Sequence, residues 1–516
     1  MCYIIREEAI LMKKTLIKNV KLLDGINYFG TPGAVIVAER RIEDIVKDTE
    51  SISYDNFYQI IDGQNQFLTP AFIDSHSHSD LSILSPFELA SKKSSGFGIE
   101  IVGNCGLSAF PISERNFANL QKIYQKYPTK LNWTSYAEYY RQTLTNPTGT
   151  QIYSLTGHNT LHSCVASYEQ RQITVQELKL MQKLLAQSLE EGSLGLSLGL
   201  LYTPGRFAED SEIIALLRTV ATYDKIVAVH LKSEGDYLLE SLTQMLEFAR
   251  KAKLSKLHIS HLKTSGVANY HKIDRLLEII ENAPRTHGVS VTFDRYPFCQ
   301  SLTQLSVAGP DKFLNTPDSK IMEILQNSVS ECAEFRYCLQ QKSADYFEKI
   351  ILVATALERY QKFIGMKITQ IAQLSNQSVA DLILDLIKND SVNCLAAFET
   401  MSEKNMRTII SHPLCMIGSD ETARPYDYSL GSSHIRNFGT TSEAIKILRQ
   451  LGIDNSLIIK KLSYFAHKRF SLPLSGKIRK GYYGKFNLID FERIATHATF
   501  ANPHTPSSGI TPLHDL

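Results

Sequence analysis

Residues 72–78 read FIDSHSH, a short apolar run that leads directly into two histidines, His76 and His78. Side chains at positions i and i+2 of a strand lie on the same face. Both imidazoles would therefore point the same way and could bind one metal ion through their ring nitrogens. A lone His-x-His pair is a weak signal, because either histidine could be a core or surface residue, so the ends of the other strands decide its meaning.

Four other strand-like runs also end on residues that bind metals or act as acids and bases. They are GIEIVGNC ending at Cys105, IVAVH ending at His230, LHISH ending at His261, and LCMIGSD ending at Asp420. In a parallel barrel, functional side chains gather at the carboxyl ends of the strands, each delivered by a different strand. Five strand ends of this kind predict a metal hydrolase site.

The middle of the chain alternates strand-like runs with amphipathic helices. We predict strands at residues 72–78, 98–104, 151–157, 194–199, 226–230, 256–261, 289–294 and 414–419. We predict helices at 175–191, opened by a Thr174/Glu177 capping box, and at 210–222, 236–252, 269–282, 355–375 and 378–389. A second such pair, Thr440 and Glu443, predicts the start of a helix after the eighth strand. Eight strand–helix units favour an α/β fold, a (β/α)8 TIM-like barrel.

The two ends of the chain have a different texture, with short strands separated by turn residues. We predict that residues 12–69 and 470–516 combine into one small β domain, a sandwich or barrel, beside the metal-dependent barrel of residues 70–469. The long stretch between the seventh and eighth strands predicts an insertion near residues 299–350. Long insertions after a barrel strand often form a wall of the active face.

Two of the strand ends carry specific chemistry. Cys105 lies in the sequence Gly103-Asn104-Cys105-Gly106, whose glycines allow a sharp turn. A thiolate there could bind zinc or bridge two ions, although a lone buried cysteine is more often structural. Asp420 could accept a proton from an activated water and pass it to a leaving amine, whereas the alternative is a loop or helix-capping aspartate.

Four further residues are candidates for the substrate pocket. Lys263 follows His261 by two positions, and a cation beside a metal site is costly unless it meets an anion, such as a substrate carboxylate. Arg436, in the loop after the eighth strand, could bind a carboxylate through two parallel hydrogen bonds. Tyr296 ends the seventh strand, and Tyr202 lies after the fourth, where each could supply a hydroxyl. A solvated loop lysine remains an equal alternative for Lys263.

Composition excludes several classes of partner. The formal net charge is +2 with no block of like charge, so neither nucleic acid nor a membrane surface is expected, and a small-molecule substrate is the default. Arg6, Glu7 and Glu8 interrupt the apolar N-terminal stretch, which is therefore neither a signal sequence nor a membrane span. Eight scattered cysteines without a regular framework favour a reducing compartment, the cytoplasm.

The chain resembles the N-acyl-D-amino-acid deacylases (D-aminoacylases) of the amidohydrolase superfamily. The matching segments are PAFIDSHSHSD, GNCG, GHNTLH, EGSLGLSLGLLYTPG, SHLKTSG, FDRYPF, MIGSDE, SSHIRNFGT and SGKIRKGYYGKFNLIDF, in family order over roughly residues 60–510. The resemblance implies a barrel beside a β domain and assigns the ligands of one or two Zn²⁺ ions to His76, His78, Cys105, His230 and His261. It also implies Asp420 as general acid/base and Tyr202, Lys263, Tyr296 and Arg436 as contacts of the substrate carboxylate.

The sequence departs from the family pattern at several places, which include Ala71, Arg295, Glu421 and Ile435. Arg295 lies within FDRYPF, and Glu421 follows Asp420 where glycine is common. The expected activity is zinc-dependent hydrolysis of the amide bond of N-acyl-D-amino acids, with D-preference implied by the resemblance alone. A cyclic amidohydrolase of the hydantoinase or dihydroorotase kind is the enzyme alternative, and Cys105 argues against it. A catalytically inactive metal-binding protein is the alternative of another class, against which the intact Asp420 argues.

Overall fold

The structure is a computed structural model that describes residues 14–47, 57–146, 149–313 and 316–516. Its strands are β1 (Lys14–Leu23), β2 (Phe29–Ala38), β3 (Arg41–Val46), β4 (Gln59–Asp62), β5 (Phe67–Pro70), β6 (Phe72–Asp74), β7 (Phe97–Val102), β8 (Gln151–Ser154), β9 (Thr156–Gly157), β10 (Gly195–Gly199), β11 (Ile226–His230), β12 (Lys256–Ile259), β13 (Ser290–Arg295), β14 (Gln300–Gln304), β15 (Ile350–Ala354), β16 (Leu395–Glu399), β17 (Cys415–Ile417), β18 (Phe486–Ile489) and β19 (Ile510–Leu513).

The α-helices follow the same chain order. They are α1 (Ala90–Ser94), α2 (Phe117–Ile123), α3 (Tyr136–Thr143), α4 (His158–Ala166), α5 (Val175–Glu190), α6 (Asp210–Thr222), α7 (Leu238–Ala252), α8 (Ile273–His287), α9 (Asp318–Asn327), α10 (Val329–Gln340), α11 (Ala344–Glu348), α12 (Glu358–Gln361), α13 (Ile368–Leu374), α14 (Val379–Asp390), α15 (Glu403–Ser411), α16 (Arg436–Gln450), α17 (Asn455–Leu462) and α18 (Tyr464–Phe470). Within the described ranges, none of these helices is long and apolar enough to cross a membrane.

A barrel of eight parallel strands forms the centre of the molecule and confirms the predicted fold. Two sheets, β6-β7-β8 and β9-β10-β11-β12-β13-β17, meet at β8 and β9, which follow one another along the chain and together count as the third of the eight barrel strands. The barrel closes between its first and last strands, where the Ser75 hydroxyl donates to the Ile417 carbonyl at 2.9 Å. The Asp420 N–H also donates to the His76 carbonyl at 2.8 Å. This seam brings the first and last predicted functional strand ends together.

Several barrel strands are shorter than predicted, and the difference decides where the functional residues lie. Strand β6 ends at Asp74, β12 at Ile259 and β17 at Ile417. The backbone then turns, and His261 and Asp420 adopt positive φ angles of 36° and 52°. A residue in this left-handed region cannot continue a strand. His230 alone among the predicted functional residues closes its strand directly.

Of the two helix starts predicted from Thr-x-x-Glu sequences, one is confirmed and one is wrong. The predicted capping box of α5 is present, with Thr174 accepting from the Glu177 N–H and Glu177 accepting from the Thr174 N–H. The predicted start at Thr440 is wrong, because α16 begins at Arg436. The Thr440 hydroxyl donates to the Arg436 carbonyl inside the helix, at 2.6 Å. A threonine can make this bond within a helix as well as cap one, so the motif alone misplaced the start.

Strands from both ends of the chain share one sheet. Its order is β19-β18-β5-β1-β2-β3, with β4 added beside β1. Strand β18 pairs antiparallel with both β5 and β19, so the C-terminal segment joins N-terminal strands directly. Residues 12–13 and 48–56 of the predicted β domain lie outside the described residues. The exact division of the chain into domains stays a prediction.

The stretch between β13 and β17 forms a compact inserted unit. Strands β14, β16 and β15 make an antiparallel sheet, and helices α9, α10 and α14 cover it around a separate apolar cluster that includes Leu325, Phe335 and Leu386. Strand β16 lies beyond residue 350, where the predicted insertion ends. The helix predicted over 355–375 is instead two short helices, α12 and α13, with Gly365 (φ 89°) between them.

Candidate metal centre

Four predicted ligands from four different strands meet in one cluster. Cys105 Sγ lies 3.4 Å from His76 Nε2, 3.5 Å from His261 Nε2 and 3.8 Å from His230 Nδ1. His230 Nδ1 and His261 Nε2 are 2.9 Å apart. Ligands of one tetrahedral zinc ion lie roughly 3.3–3.6 Å from one another, given Zn–N near 2.0 Å and Zn–S near 2.3 Å. The distances from Cys105 Sγ to His76 and His261 match this spacing, and a small shift of His230 would bring the 2.9 Å and 3.8 Å distances to it.

A second group of donors adjoins the first and shares one histidine with it. Asp420 Oδ1 lies 3.2 Å from His78 Nε2 and 3.5 Å from His76 Nε2. His76 is fully buried, whereas His78 and Asp420 are partly exposed toward the barrel mouth. The six side chains together offer enough donors for one ion or for two neighbouring ions.

Carboxylates lie behind two of the imidazole rings, and the one beside His76 is hydrogen-bonded to it. His76 Nδ1 lies 3.2 Å from Asp294 Oδ2, and His261 Nδ1 lies 3.0 Å from Glu234 Oε1. Such carboxylate partners fix the tautomer and leave the other ring nitrogen free to bind a metal. His230 Nε2 is buried and has no hydrogen-bond partner among the described residues.

Asp294 connects three strands beneath the cluster. Its Oδ2 also lies 2.9 Å from His258 Nε2, and its Oδ1 accepts the His261 N–H at 3.0 Å. Burial alone would raise the pKa of the Asp294 carboxyl, but His76 and His258 hold that pKa well below its usual range. Asp294 is therefore a buried anion that contacts His76 and His261, two of the predicted ligands.

Cys105 is held in an unusual backbone conformation, and the neighbouring histidines favour its thiolate form. Its φ angle is 53°, and Gly103 before it has φ 74°. A Cβ added to Gly103 would overlap the Leu155 carbonyl oxygen, so glycine is required there. Burial alone would raise the pKa of the Cys105 thiol, but His76 and His261 lower that pKa well below its ordinary value. Thiolates are the form in which cysteine binds metals.

Ser197 lies in a sequence that matches a serine hydrolase motif, but its role here is to hold the residue after Cys105. The Gly106 N–H donates to Ser197 Oγ at 3.0 Å. Ser197 is the central residue of GLSLG at 195–199, which matches the GxSxG pattern. It is fully buried within β10 rather than exposed at a strand-to-helix turn. Ser197 therefore supports the Cys105 loop and is not presented as a nucleophile.

Asp420 is ionised and held in place by a cation. Arg436 Nη1 lies 2.9 Å from Asp420 Oδ2. Burial alone would raise the pKa of the Asp420 carboxyl, but Arg436, His261 and His78 together hold that pKa well below its usual range. A carboxylate in this state accepts protons rather than donating them at neutral pH. The predicted role of Asp420 as a base is compatible with this arrangement.

The two predicted anion-binding cations already have carboxylate partners within the protein. Lys263 Nζ lies 3.1 Å from Glu234 Oε2. Arg436 contacts Glu421 as well as Asp420, with Nε 3.3 Å from Glu421 Oε1. Glu421, at the position where the sequence departs from the family pattern, therefore neutralises the arginine.

The two predicted tyrosines occupy different depths of the site. Tyr296 is fully buried, and its hydroxyl has no hydrogen-bond partner among the described residues. Lys263 Nζ and Arg436 Cζ lie 5.8 Å and 4.5 Å from its ring centroid. Tyr202 is 44% exposed and packs its ring 4.9 Å from that of His230, at the edge of the cluster. The structure thus brings all ten predicted site residues to one mouth of the barrel, while their individual roles stay predictions.

Arg295 alternates with Asp294 and Tyr296 along the chain, which predicts that it faces away from the barrel mouth, and in the structure it is a fully buried cation. Its Nη2 donates to the Phe298 carbonyl at 2.7 Å and contacts Met401 Sδ at 3.0 Å. Nε and Nη1 are buried without a partner among the described residues. Its guanidinium lies 4.2 Å from the Tyr296 ring centroid. Arg295 therefore adds a third positive charge beside this tyrosine.

A buried lysine behind the metal cluster was also missed by sequence reasoning. Lys92 Nζ donates to Asp74 Oδ2 at 2.6 Å, to Ser419 Oγ at 2.7 Å and to the Glu421 carbonyl at 2.9 Å. It thereby joins the end of β6 to residues on both sides of Asp420. Nothing in the sequence around Lys92 distinguishes it from the neighbouring Lys93, so its buried contacts could not be predicted.

Comparison with known proteins gives a consistent result. No family model matches the chain. The chain is 25% identical to the N-acyl-D-aspartate deacylase of Alcaligenes xylosoxydans xylosoxydans, over 87% of this chain and 81% of that protein. It is 24% identical to the D-aminoacylase of the same organism, over 95% and 90% of the two chains.

Solved structures share the fold. An N-acyl-D-glutamate deacylase from Bordetella bronchiseptica, complexed with zinc and a phosphonate inhibitor, superposes with a TM-score of 0.78 and 23% identity. The match covers 97% of this chain and 95% of that one. A D-aminoacylase described as defining a novel subset of amidohydrolases matches with a TM-score of 0.74. The chain is thus a relative of the N-acyl-D-amino-acid deacylases, or D-aminoacylases, as its sequence motifs indicate.

Proposed function

We propose that this protein hydrolyses the amide bond of N-acyl-D-amino acids and releases a carboxylate and a free D-amino acid. The observation that carries the proposal is the position of Cys105 Sγ, 3.4–3.8 Å from three imidazole nitrogens and beside a group that contains the Asp420 carboxylate. Relatives over nearly the whole chain are named as deacylases of D-amino acid derivatives. The enzyme is a metal-dependent amidohydrolase that acts on linear amides.

Zinc is the proposed cofactor, as one ion or two. A thiolate and imidazole nitrogens are the donors that Zn²⁺ prefers, and we assign His76, His78, Cys105, His230 and His261 as its ligands. When bound, zinc would polarise the substrate carbonyl and lower the pKa of water. The remaining chemistry falls to the protein's own side chains.

Asp420 is the proposed general base and acid. Its ionised carboxylate would accept the proton of the attacking water at Oδ1, the oxygen that faces His76 and His78. The same carboxyl group would then return the proton to the leaving nitrogen. Arg436 holds the other oxygen, Oδ2, and so fixes the direction in which the accepting oxygen points.

The substrate carboxylate is proposed to bind beside Tyr296. The unpartnered tyrosine hydroxyl would donate to it, while Lys263 and Arg436 supply the opposite charge. Tyr202, at the exposed edge of the cluster, would contact the substrate nearer the entrance. The three groups at the carboxylate, together with the contact at the scissile carbonyl, would fix the Cα substituents and so select one enantiomer.

Substrate profiling tests this function. Purified zinc-loaded protein would be assayed with N-acetyl-D- and N-acetyl-L-methionine, the matched glutamates, hydantoin and dihydroorotate. We expect release of free D-amino acid, abolished in Asp420→Asn, and no turnover of the cyclic compounds. Turnover of hydantoin or dihydroorotate alone would establish the cyclic alternative. Absence of turnover of every substrate, with zinc bound, would instead favour a metal-binding protein without catalysis.

We also propose a cytoplasmic location. The seven described cysteines are free, and they include the buried Cys164 and Cys415. Burial raises the pKa of each of these two thiols to about 12, which keeps them protonated and unreactive. Cell fractionation with an antibody to the protein would test the location, and recovery from an extracytoplasmic fraction would contradict it.

A further inference from the structure

A second cluster of metal-binding side chains lies between two helices, apart from the barrel mouth. His158 and His162 are one turn apart on α4, and Glu212 faces them from α6. Glu212 Oε1 lies 2.8 Å from His158 Nε2 and 3.0 Å from His162 Nδ1. All three side chains are buried, with relative exposures of 0%, 0% and 2%.

The hydrogen bonds around His158 decide which of its nitrogens carries hydrogen. The Asn159 side-chain amide donates to the carbonyls of Gly199 and Tyr202, at 3.3 Å and 3.4 Å, so its Oδ1 is the acceptor end. That oxygen lies 3.3 Å from His158 Nδ1, which must therefore be the donor. A neutral His158 then turns the lone pair of Nε2 toward the Glu212 carboxylate.

A lone pair facing a carboxylate oxygen at 2.8 Å is repulsive unless a proton or a cation lies between them. His162 does not resolve the problem, because its Nδ1 addresses the same carboxylate oxygen. Two histidines one helical turn apart with a glutamate from another helix form a donor set used for zinc. Ligand atoms of such an ion lie roughly 3.3 Å apart, so the present contacts would widen by a few tenths of an ångström.

We propose that His158, His162 and Glu212 bind a divalent transition-metal ion such as Zn²⁺ at a site separate from the catalytic cluster. All three ligand side chains are buried, and the ion would tie α4 to α6. Burial protects the ion from exchange with solvent. The proposal does not depend on the reaction that the protein catalyses.

The site has a short connection to the catalytic loop. The N–H groups of Asn159 and Thr160, in the first turn of α4, donate to the Gly106 carbonyl at 2.8 Å and 3.3 Å. Gly106 directly follows Cys105. An ion that fixes α4 would therefore stabilise the loop that carries the thiolate, without contacting the substrate.

Anomalous diffraction tests the proposal in the unmodified protein. Crystals grown with zinc would be measured on both sides of the zinc absorption edge. We expect an anomalous peak between His158 Nε2, His162 Nδ1 and a Glu212 oxygen, in addition to density at the Cys105 cluster. Density at the Cys105 cluster alone, at saturating zinc, would overturn the proposal and leave a buried ion pair in its place.

Metal content provides a second measurement that does not rely on crystals or on activity. In a Cys105→Ala/His230→Ala background, which weakens the catalytic cluster, we expect about one tightly held zinc per chain and a Tm that rises with zinc. Adding Glu212→Gln should remove both effects, whereas the matched control Glu209→Gln, at the exposed start of α6, should keep them. Equal zinc content with Glu212→Gln and Glu209→Gln would contradict the proposal.

Discussion

Arg436 Nη1 lies 2.9 Å from Asp420 Oδ2, and Arg436 is also the first residue of helix α16. The helix therefore delivers its guanidinium to the loop that follows the last barrel strand. The same guanidinium contacts Glu421 through Nε. One cation thus orients the proposed base and balances the additional carboxylate beside it.

Replacing Arg436 should change the pH dependence of the reaction as well as its rate. Removal of the cation in Arg436→Gln raises the pKa of Asp420, because an adjacent positive charge favours the carboxylate. The acid limb of the kcat/KM profile should then move to higher pH, and kcat/KM should fall by about 10²–10³-fold. Lys232→Gln, in the exposed loop after β11, is the control. An acid limb that stays at the same pH in Arg436→Gln would contradict this role.

Replacing Cys105 should lower the zinc content of the protein without unfolding it. We expect Cys105→Ala to lose zinc from the catalytic cluster and to lose activity, because the sulfur contacts three of the ligand histidines. Cys338→Ala, a partly buried cysteine of the inserted unit, should keep both. Zinc per chain after gel filtration is the measurement. Full occupancy of the cluster in Cys105→Ala would exclude the thiolate from the ligand set.

Lys92 should contribute strongly to stability although it touches no substrate. Its removal in Lys92→Met leaves Asp74 and Glu100 buried with their neutralising cation gone. Breaking such a buried pair costs about 3–5 kcal/mol, measurable by urea unfolding. Lys93→Met, at the 41% exposed neighbouring side chain, should change the free energy of unfolding by less than about 0.5 kcal/mol. Equal effects of the two substitutions would refute the argument.

One buried histidine should make stability fall in mild acid. Burial, and secondarily Lys485, lowers the pKa of His514 to about 3. The folded protein therefore keeps this imidazole neutral, while the unfolded chain takes up a proton below about pH 6.5. Between these pH values protons favour unfolding, so His514 makes the free energy of unfolding fall by up to about 1.4 kcal/mol per pH unit on acidification.

Two variants distinguish the contribution of His514 to this pH dependence from the contributions of other histidines. His514→Gln can still donate to the Asn487 side-chain oxygen, which His514 Nε2 approaches at 3.0 Å, and it should lack this part of the pH dependence. His497→Gln, at an exposed position, should keep it. Identical slopes of unfolding free energy against pH in wild type and His514→Gln would show that the imidazole does not stay neutral.

The sequence predicted the barrel and the cluster because both depend on local patterns. An apolar run that ends in a histidine, a cysteine or an aspartate can be recognised without knowing what packs against it. His230 is the plainest example, since it is the last residue of its own strand. The exact strand ends could not be predicted, because His261 and Asp420 leave their strands through positive φ angles that hydrogen bonds across the barrel impose.

The residues behind the cluster could not be predicted for a different reason. Glu234 and Lys92 act through partners from other strands and helices, and neither lies in a distinctive sequence. Their importance comes from burial and from charges brought together by the fold. Arg295 shows the same limit, because alternation along a strand says which side a residue faces but not what lies on that side.

The contact between the first and last barrel strands also determines the stage of synthesis at which the site can form. His78 and Asp420 are 342 positions apart in the chain, yet they face one another because β17 docks beside β6. During synthesis His76 and His78 emerge early, while the proposed base Asp420 and its partner Arg436 follow only after the whole inserted unit. Asp420 therefore reaches the metal cluster only when the last barrel strand is in place. A chain that ends anywhere before residue 415 cannot assemble this site.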